Sequence, residues 1–239
     1  MNYLKQLSIY QLITTFLLAL YFLGIWQFGF QKVFYQFIIA VVATTAAGAI
    51  LDYIELKRWV LPKTPFITGC IIGLVGQFGE TFLVLSAIGI CSMLIKFFIK
   101  LDGRHIFNPA ASGLLIGMLL FKSYPAWWIG GVGPWIFLIW IPLFLYKMKR
   151  WAPIVGFLVP TLILSGFNSL VSPSLLFFSS VMLIEPKTSP APTRLGLIYG
   201  LIVAMVYLYS PYIIPGLDPL VAGLLIGNLG GRLLGKVIV

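Results

Sequence analysis

A ten-residue pattern occurs twice in this chain of 239 residues. Asn108-Pro109-Ala110-Ala111-Ser112-Gly113-Leu114-Leu115-Ile116-Gly117 aligns with Asp218-Pro219-Leu220-Val221-Ala222-Gly223-Leu224-Leu225-Ile226-Gly227, an offset of 110 residues (218 − 108). Asn and Asp are favoured helix N-caps, because their side-chain oxygen accepts an otherwise orphaned backbone N–H. Proline suits the first helical position, where its missing N–H costs nothing. Each copy therefore opens a helix of small and apolar residues. The offset is close to half the chain, so the expected architecture is two related halves, residues 1–122 and 123–239, hinged near Lys122–Ala126.

Only 9% of the residues are charged and 60% are hydrophobic, against about 25% charged in a soluble domain. The expected surroundings are a lipid bilayer. Trp26, Trp59, Trp127, Trp128 and Trp151 stand near the ends of apolar runs, where interfacial belts place tryptophan. The net charge of +10 reads as cationic loops that orient a membrane protein, with no nucleic-acid partner. Cys70 and Cys91 lie in apolar segments without metal-ligand spacing and read as small apolar residues. No cleavable signal peptide is expected, since the first apolar run has no small-residue cleavage site after it.

The first half divides into segments at about Ser8–Phe30, Phe34–Ile54, Phe66–Val75, Phe82–Phe98 and Asn108–Phe121. The second divides at about Trp127–Tyr146, Pro153–Val171, Leu175–Ile184, Leu195–Tyr209 and Asp218–Val239. A full span takes about 20 apolar residues, and the third and eighth fall well short. Polar or helix-breaking sequence follows each of them. Short, interrupted helices at matching places in two halves point to a binding site, since non-helical backbone at membrane depth must line a cavity or be buried in protein. Two ordinary short spans remain the alternative. With all ten segments crossing, 14 of the 16 Lys and Arg residues fall on one side and only Lys32 and Lys122 on the other. That asymmetry supports an all-α, multi-pass protein with both termini cytoplasmic. Five crossings per half then make the halves inverted repeats.

Candidate chemistry is sparse. His105, the single histidine, sits in a turn, where a solvated or capping role is the ordinary reading and proton relay or ligand binding the functional one. Asp52, Glu55 and Asp102 lie in basic loops and suggest local ion pairs. Glu80, Glu185 and Asp218 stand at segment ends, where a carboxylate near membrane depth is a functional candidate; for Asp218 plain N-capping serves equally. Glu185-Pro186-Lys187-Thr188-Ser189-Pro190-Ala191-Pro192 forbids a regular helix and leaves carbonyls and hydroxyls free. Thr68-Gly69 is a second polar point, inside the short third segment.

These residues resemble a family. Arg104-His105-Ile106-Phe107-Asn108-Pro109-Ala110 resembles the FNPA signature of the membrane subunits NqrB, of the sodium-pumping NADH:quinone oxidoreductase, and RnfD, of the Rnf electron transport complex. Phe66-Ile67-Thr68-Gly69 is similar to its TG segment, and Met182 to Pro190 to its TDPxTSP segment, with Glu185 in place of the family's aspartate. Gly196 and Gly200 follow as in the family's next helix, and the resemblance runs from about Ile50 to Asn228. It implies a ten-helix inverted repeat like that of urea transporters and a place in a flavin-dependent electron-transfer complex of the bacterial cytoplasmic membrane. The implied partners are other electron-transport subunits or a flavinylated extracytoplasmic protein. The implied cofactor is riboflavin or flavin mononucleotide. No threonine here follows Gly-Ala, so the flavin is expected to be held non-covalently. Thr68, Asn108, Glu185, Thr188 and Ser189 are its expected binding residues, with Asp218 beside them. A transporter or channel for a small solute, a flavin or an ion is the alternative, and a scaffold for neighbouring subunits a third.

Overall fold

The computed structural model describes residues 8–133, 135–166 and 172–237. Both termini and the expected end of the seventh segment at Val171 lie outside them. Ten α-helices are found among the described residues: α1 (Ile9–Phe28), α2 (Phe30–Leu56), α3 (Lys63–Val75), α4 (Phe82–Phe98), α5 (Pro109–Phe121), α6 (Trp135–Met148), α7 (Trp151–Ser165), α8 (Pro173–Phe177), α9 (Thr193–Ile213) and α10 (Pro219–Val237). The fold is all-helical in character. Helices α1, α2 and α9 are long and apolar enough to cross a membrane.

Local chemistry sets the boundaries. Ser8 caps α1 in a reciprocal box with Gln11, and Thr81 caps α4 by accepting from the Val84 N–H. Gly29, at φ +90°, separates α1 from α2 with a backbone that L side chains rarely adopt. Helix α8 continues through a π turn, Phe178–Met182, and then stops.

Two departures from the sequence reading have clear causes. The segment expected as one helix from Trp127 to Tyr146 is divided into a 3-10 turn, Trp128–Val132, and α6. Gly133 at φ +101° and Trp127 at φ +46° cannot continue a right-handed helix. The stretch before Asn108 forms a small antiparallel hairpin, β1 (Lys100–Leu101) with β2 (Arg104–His105). Asp102 and Gly103, at φ +53° and +72°, make the turn, as Asp-Gly does in tight hairpins.

The last three helices of each half begin at matching positions. Lys63 and Pro173 differ by 110, Phe82 and Thr193 by 111, and Pro109 and Pro219 by 110. Contacts follow the same order: α2 packs on α4 and α4 on α5, while α7 packs on α9 and α9 on α10. The two sets meet where α5 touches α10 and α1 touches α6. Close crossings need glycine at key points. A Cβ on Gly69 would lie 2.7 Å from Val41 Cα, and one on Gly200 would lie 2.3 Å from the Pro153 carbonyl oxygen.

Candidate functional site

Helices α3 and α8 both end inside the protein, where their last carbonyls need donors that water cannot supply. At the end of α3, Gln36 Nε2 donates to the Gly73 and Gly76 carbonyls, at 3.1 and 2.7 Å. Trp128 Nε1 also donates to Gly73, at 3.1 Å, and the N–H groups of Ala126 and Trp127 donate to Val75, at 2.9 and 3.1 Å. Beyond α8, Tyr199 Oη donates to the Leu183 carbonyl at 3.2 Å.

Asn108 organises the region past α8. Its side-chain oxygen accepts from the Ala111 N–H at 3.0 Å, which is the expected N-cap of α5. Its Nδ2 donates to Glu185 Oε2 at 2.9 Å and approaches the Met182 carbonyl at 3.5 Å. Its backbone N–H donates to Asn228 Oδ1 at 2.8 Å, and Asn228 Nδ2 donates to Tyr199 Oη at 2.9 Å. A buried chain of hydrogen bonds thus ties α5, α9, α10 and the break after α8 together. Thr188 Oγ1 donates to the same Glu185 oxygen at 3.2 Å, while Ser189 Oγ donates to the Glu185 carbonyl at 2.8 Å.

His105 is the main correction to the sequence reading. It is buried rather than solvated, because the hairpin folds its ring under the chain. Its Nε2 lies 3.6 Å from Glu185 Oε1 and has no hydrogen-bond partner. Glu185 therefore gathers an amide and an imidazole from the stretch around Asn108 and a hydroxyl from its own. Asp102 and Glu55 form ion pairs with Lys236 at 3.0 Å and Lys100 at 2.6 Å, but across long sequence separations and not within their own loops as expected.

Thr68, Asn108 and Glu185 line one cavity, with Thr64, Lys96 and His105 around them. The Thr68 hydroxyl donates to the Thr64 carbonyl at 3.0 Å, and Lys96 Nζ donates to Thr64 Oγ1 at 2.9 Å. The cavity measures about 80 Å³, room for roughly five to eight waters at about 10–15 Å³ each. A cleft of about 280 Å³ adjoins it, sharing Thr64, Lys96, His105 and Lys187. Thr188 and Ser189 line a second groove at the break. Asp218 is elsewhere again. It caps α10 through the Val221 N–H at 2.9 Å and accepts from Trp127 Nε1 at 2.8 Å.

The participants that escaped the sequence reading include Arg150, Asn228, Tyr199 and Trp127, with Gln36, Thr64, Lys96 and Trp128. Arg150 holds the break. One guanidinium nitrogen donates to the Ser189 carbonyl, the Ser189 hydroxyl and the Pro190 carbonyl at 2.6, 2.8 and 3.0 Å, and another to the Pro186 carbonyl at 3.2 Å. Burial pushes its pKa down from the ordinary arginine value. Asn228 carried a signal, as an amide within a small, apolar helical run. Arg150 looked like one more basic loop residue.

No family model matches the chain, and no curated protein matches it.

Proposed function

We propose that this chain is a membrane subunit of a flavin-dependent electron-transfer complex, similar in kind to NqrB and RnfD, built as two inverted five-segment halves in a bacterial cytoplasmic membrane. One observation carries the reading. Thr68, Asn108 and Glu185 belong to three separate segments that share the family resemblance, and they line the same cavity. Motifs that met only by chance would have no reason to converge.

That cavity, at about 80 Å³, is smaller than the roughly 300–1,000 Å³ of a usual small-molecule pocket, so the flavin ring is placed beside it. The neighbouring groove between α1, α2 and the start of α3, about 740 Å³, has the room. Tyr10, Gln11, Thr14, Thr15 and Thr45 line it with hydroxyls and an amide, and Thr45 Oγ1 is buried without a partner. Those residues would hold the ring. A flavin bound there would supply the electron-transfer chemistry, while the protein binds and orients it and excludes water. Tyr10 lines both spaces, so the groove adjoins the Glu185 cavity.

A second reading rests on the cavity's size. A small, mainly apolar space on which Thr68, Lys96, His105, Asn108 and Glu185 converge, ending among broken helices, suits a small neutral solute or cation, and inverted repeats serve transporters well. Two measurements separate the readings. A purified preparation from flavin-replete cells shows flavin absorbance on the first reading and is colourless on the second. Uptake into proteoliposomes by the chain alone, with no redox partner, supports the second. Cysteines placed at positions 150 and 194 test the architecture, which requires both to react with impermeant reagent from the same face.

A further inference from the structure

A second groove at the break, sharing Lys187 with the Glu185 cavity, is about 420 Å³ in volume. Three distant stretches form it: the hairpin, the residues Lys187 to Pro192, and the last turns of α10. Four cations line it, Arg104, Lys187, Arg232 and Lys236, against one carboxylate, Asp102. Asp102 is already paired with Lys236 at 3.0 Å. Among the described residues, the other three cations have no carboxylate within 4.0 Å. Arg232 spends one guanidinium nitrogen on the Leu101 carbonyl at 2.9 Å, while its Nε is buried without a partner. The wall is also kept open: a Cβ added at Gly235 would meet nothing within 4 Å.

We propose that this groove binds a phosphate group. Cations of one sign around a common space repel one another and focus a positive field into it. A phosphate relieves that repulsion and offers several strong acceptor oxygens to guanidinium and ammonium donors. Orientation in the bilayer explains the sign of these charges, since the proposed topology puts them on the cytoplasmic side. It does not require three segments to bring them to one groove. The ligand is either the head group of an anionic lipid in the cytoplasmic leaflet or a free phosphate compound. Lys187 also lines the Glu185 cavity, but the proposal rests on the groove's own charges and shape and needs neither the electron-transfer nor the transport reading.

The test is the thermal-unfolding midpoint of the full chain in detergent, titrated with short-chain phosphatidylglycerol, with zwitterionic phosphatidylcholine, and with inorganic phosphate at constant ionic strength. A saturable rise with phosphatidylglycerol alone identifies a lipid head group. A saturable rise with inorganic phosphate as well identifies a free phosphate. Arg104 and Lys187 are exposed, so the double variant Arg104→Gln/Lys187→Gln is expected to fold, with apparent affinity reduced about tenfold or more. Gly235→Leu fills the groove while keeping its charges and is expected to weaken binding as well. Lys57→Gln/Arg58→Gln removes two exposed cations elsewhere and is expected to change affinity less than about twofold. The proposal is overturned if no phosphate source gives a saturable rise, or if the Lys57/Arg58 variant loses as much affinity as the Arg104/Lys187 variant.

Discussion

Asn108 and Asp218 occupy matching positions, yet one is an amide and the other an acid, and their surroundings require the difference. Both accept an N-terminal N–H through one side-chain oxygen, from Ala111 at 3.0 Å and from Val221 at 2.9 Å. The remaining atom of Asn108 faces the Glu185 carboxylate at 2.9 Å and must donate. The remaining atom of Asp218 faces the Trp127 indole N–H at 2.8 Å and must accept. Asn108→Asp keeps the N-cap, since Asp caps as well as Asn. It loses a hydrogen bond to a charged group, about 1.5–3 kcal/mol. It also sets two carboxylates within about 4 Å, where repulsion at an effective dielectric of 20 is about 4 kcal/mol. Sharing a proton limits that second cost, so the expected loss is about 4 kcal/mol at pH 8. Unfolding of the detergent-solubilised protein, followed by tryptophan fluorescence, measures it. Adding Glu185→Gln should restore all but about 1 kcal/mol, because the Gln amide can donate to the new Asp. Were Asn108→Asp as stable as wild type at pH 8, or unimproved by Glu185→Gln, the donor–acceptor reasoning would be wrong.

Other expectations follow from single contacts. Arg150→Gln removes the donors that hold the Pro186, Ser189 and Pro190 carbonyls; a loss of about 3 kcal/mol and faster trypsin cleavage after Lys187 are expected. Trp127→Phe keeps the ring but takes the N–H from Asp218, and thermal unfolding should report a loss of about 1.5–3 kcal/mol. Gly200→Val drives a side chain into the Pro153 carbonyl and should cost about 3 kcal/mol or prevent accumulation in the membrane, read by yield on size-exclusion chromatography. Gly235→Ala meets open space and should be neutral or stabilise by up to about 1 kcal/mol.

The helices were legible where local chemistry decides them. Phe82–Phe98 matches its expected bounds, and α5 starts at its Asn-Pro signal. The small hairpin was missed because two-residue strands leave no alternating pattern to read, although Asp102-Gly103 was a turn signal. Trp127 to Tyr146 looked continuous because hydrophobicity does not register backbone sign, although Gly130-Gly131 and Gly133-Pro134 were turn signals. In the site, the residues that announce themselves are polar ones in apolar or broken sequence: Thr68, Asn108, Glu185 and Thr188. What sequence cannot supply is pairing across long separations. Nothing local connects Arg150 with Ser189, or His105 with Glu185, and both links arise only when separate segments are brought side by side.

The broken helices argue that neither half of the chain can complete its own fold. An interior helix end must satisfy its last carbonyls or lose about 1–3 kcal/mol for each one left unmatched. Gln36 serves α3 from within the first half, but the donors from Ala126, Trp127 and Trp128 come from the second. Tyr199 serves the end of α8 from within the second half, and Asn108 reaches Met182 and Glu185 from the first. Each half thus finishes the other's interrupted helix. The same crossing places an N-cap residue of one half beside the break of its partner at Glu185, and close to it through Trp127 at Asp218. Polar groups are thereby concentrated at the contact between halves, which is where a chain so poor in charge can bury a carboxylate and keep it hydrogen-bonded.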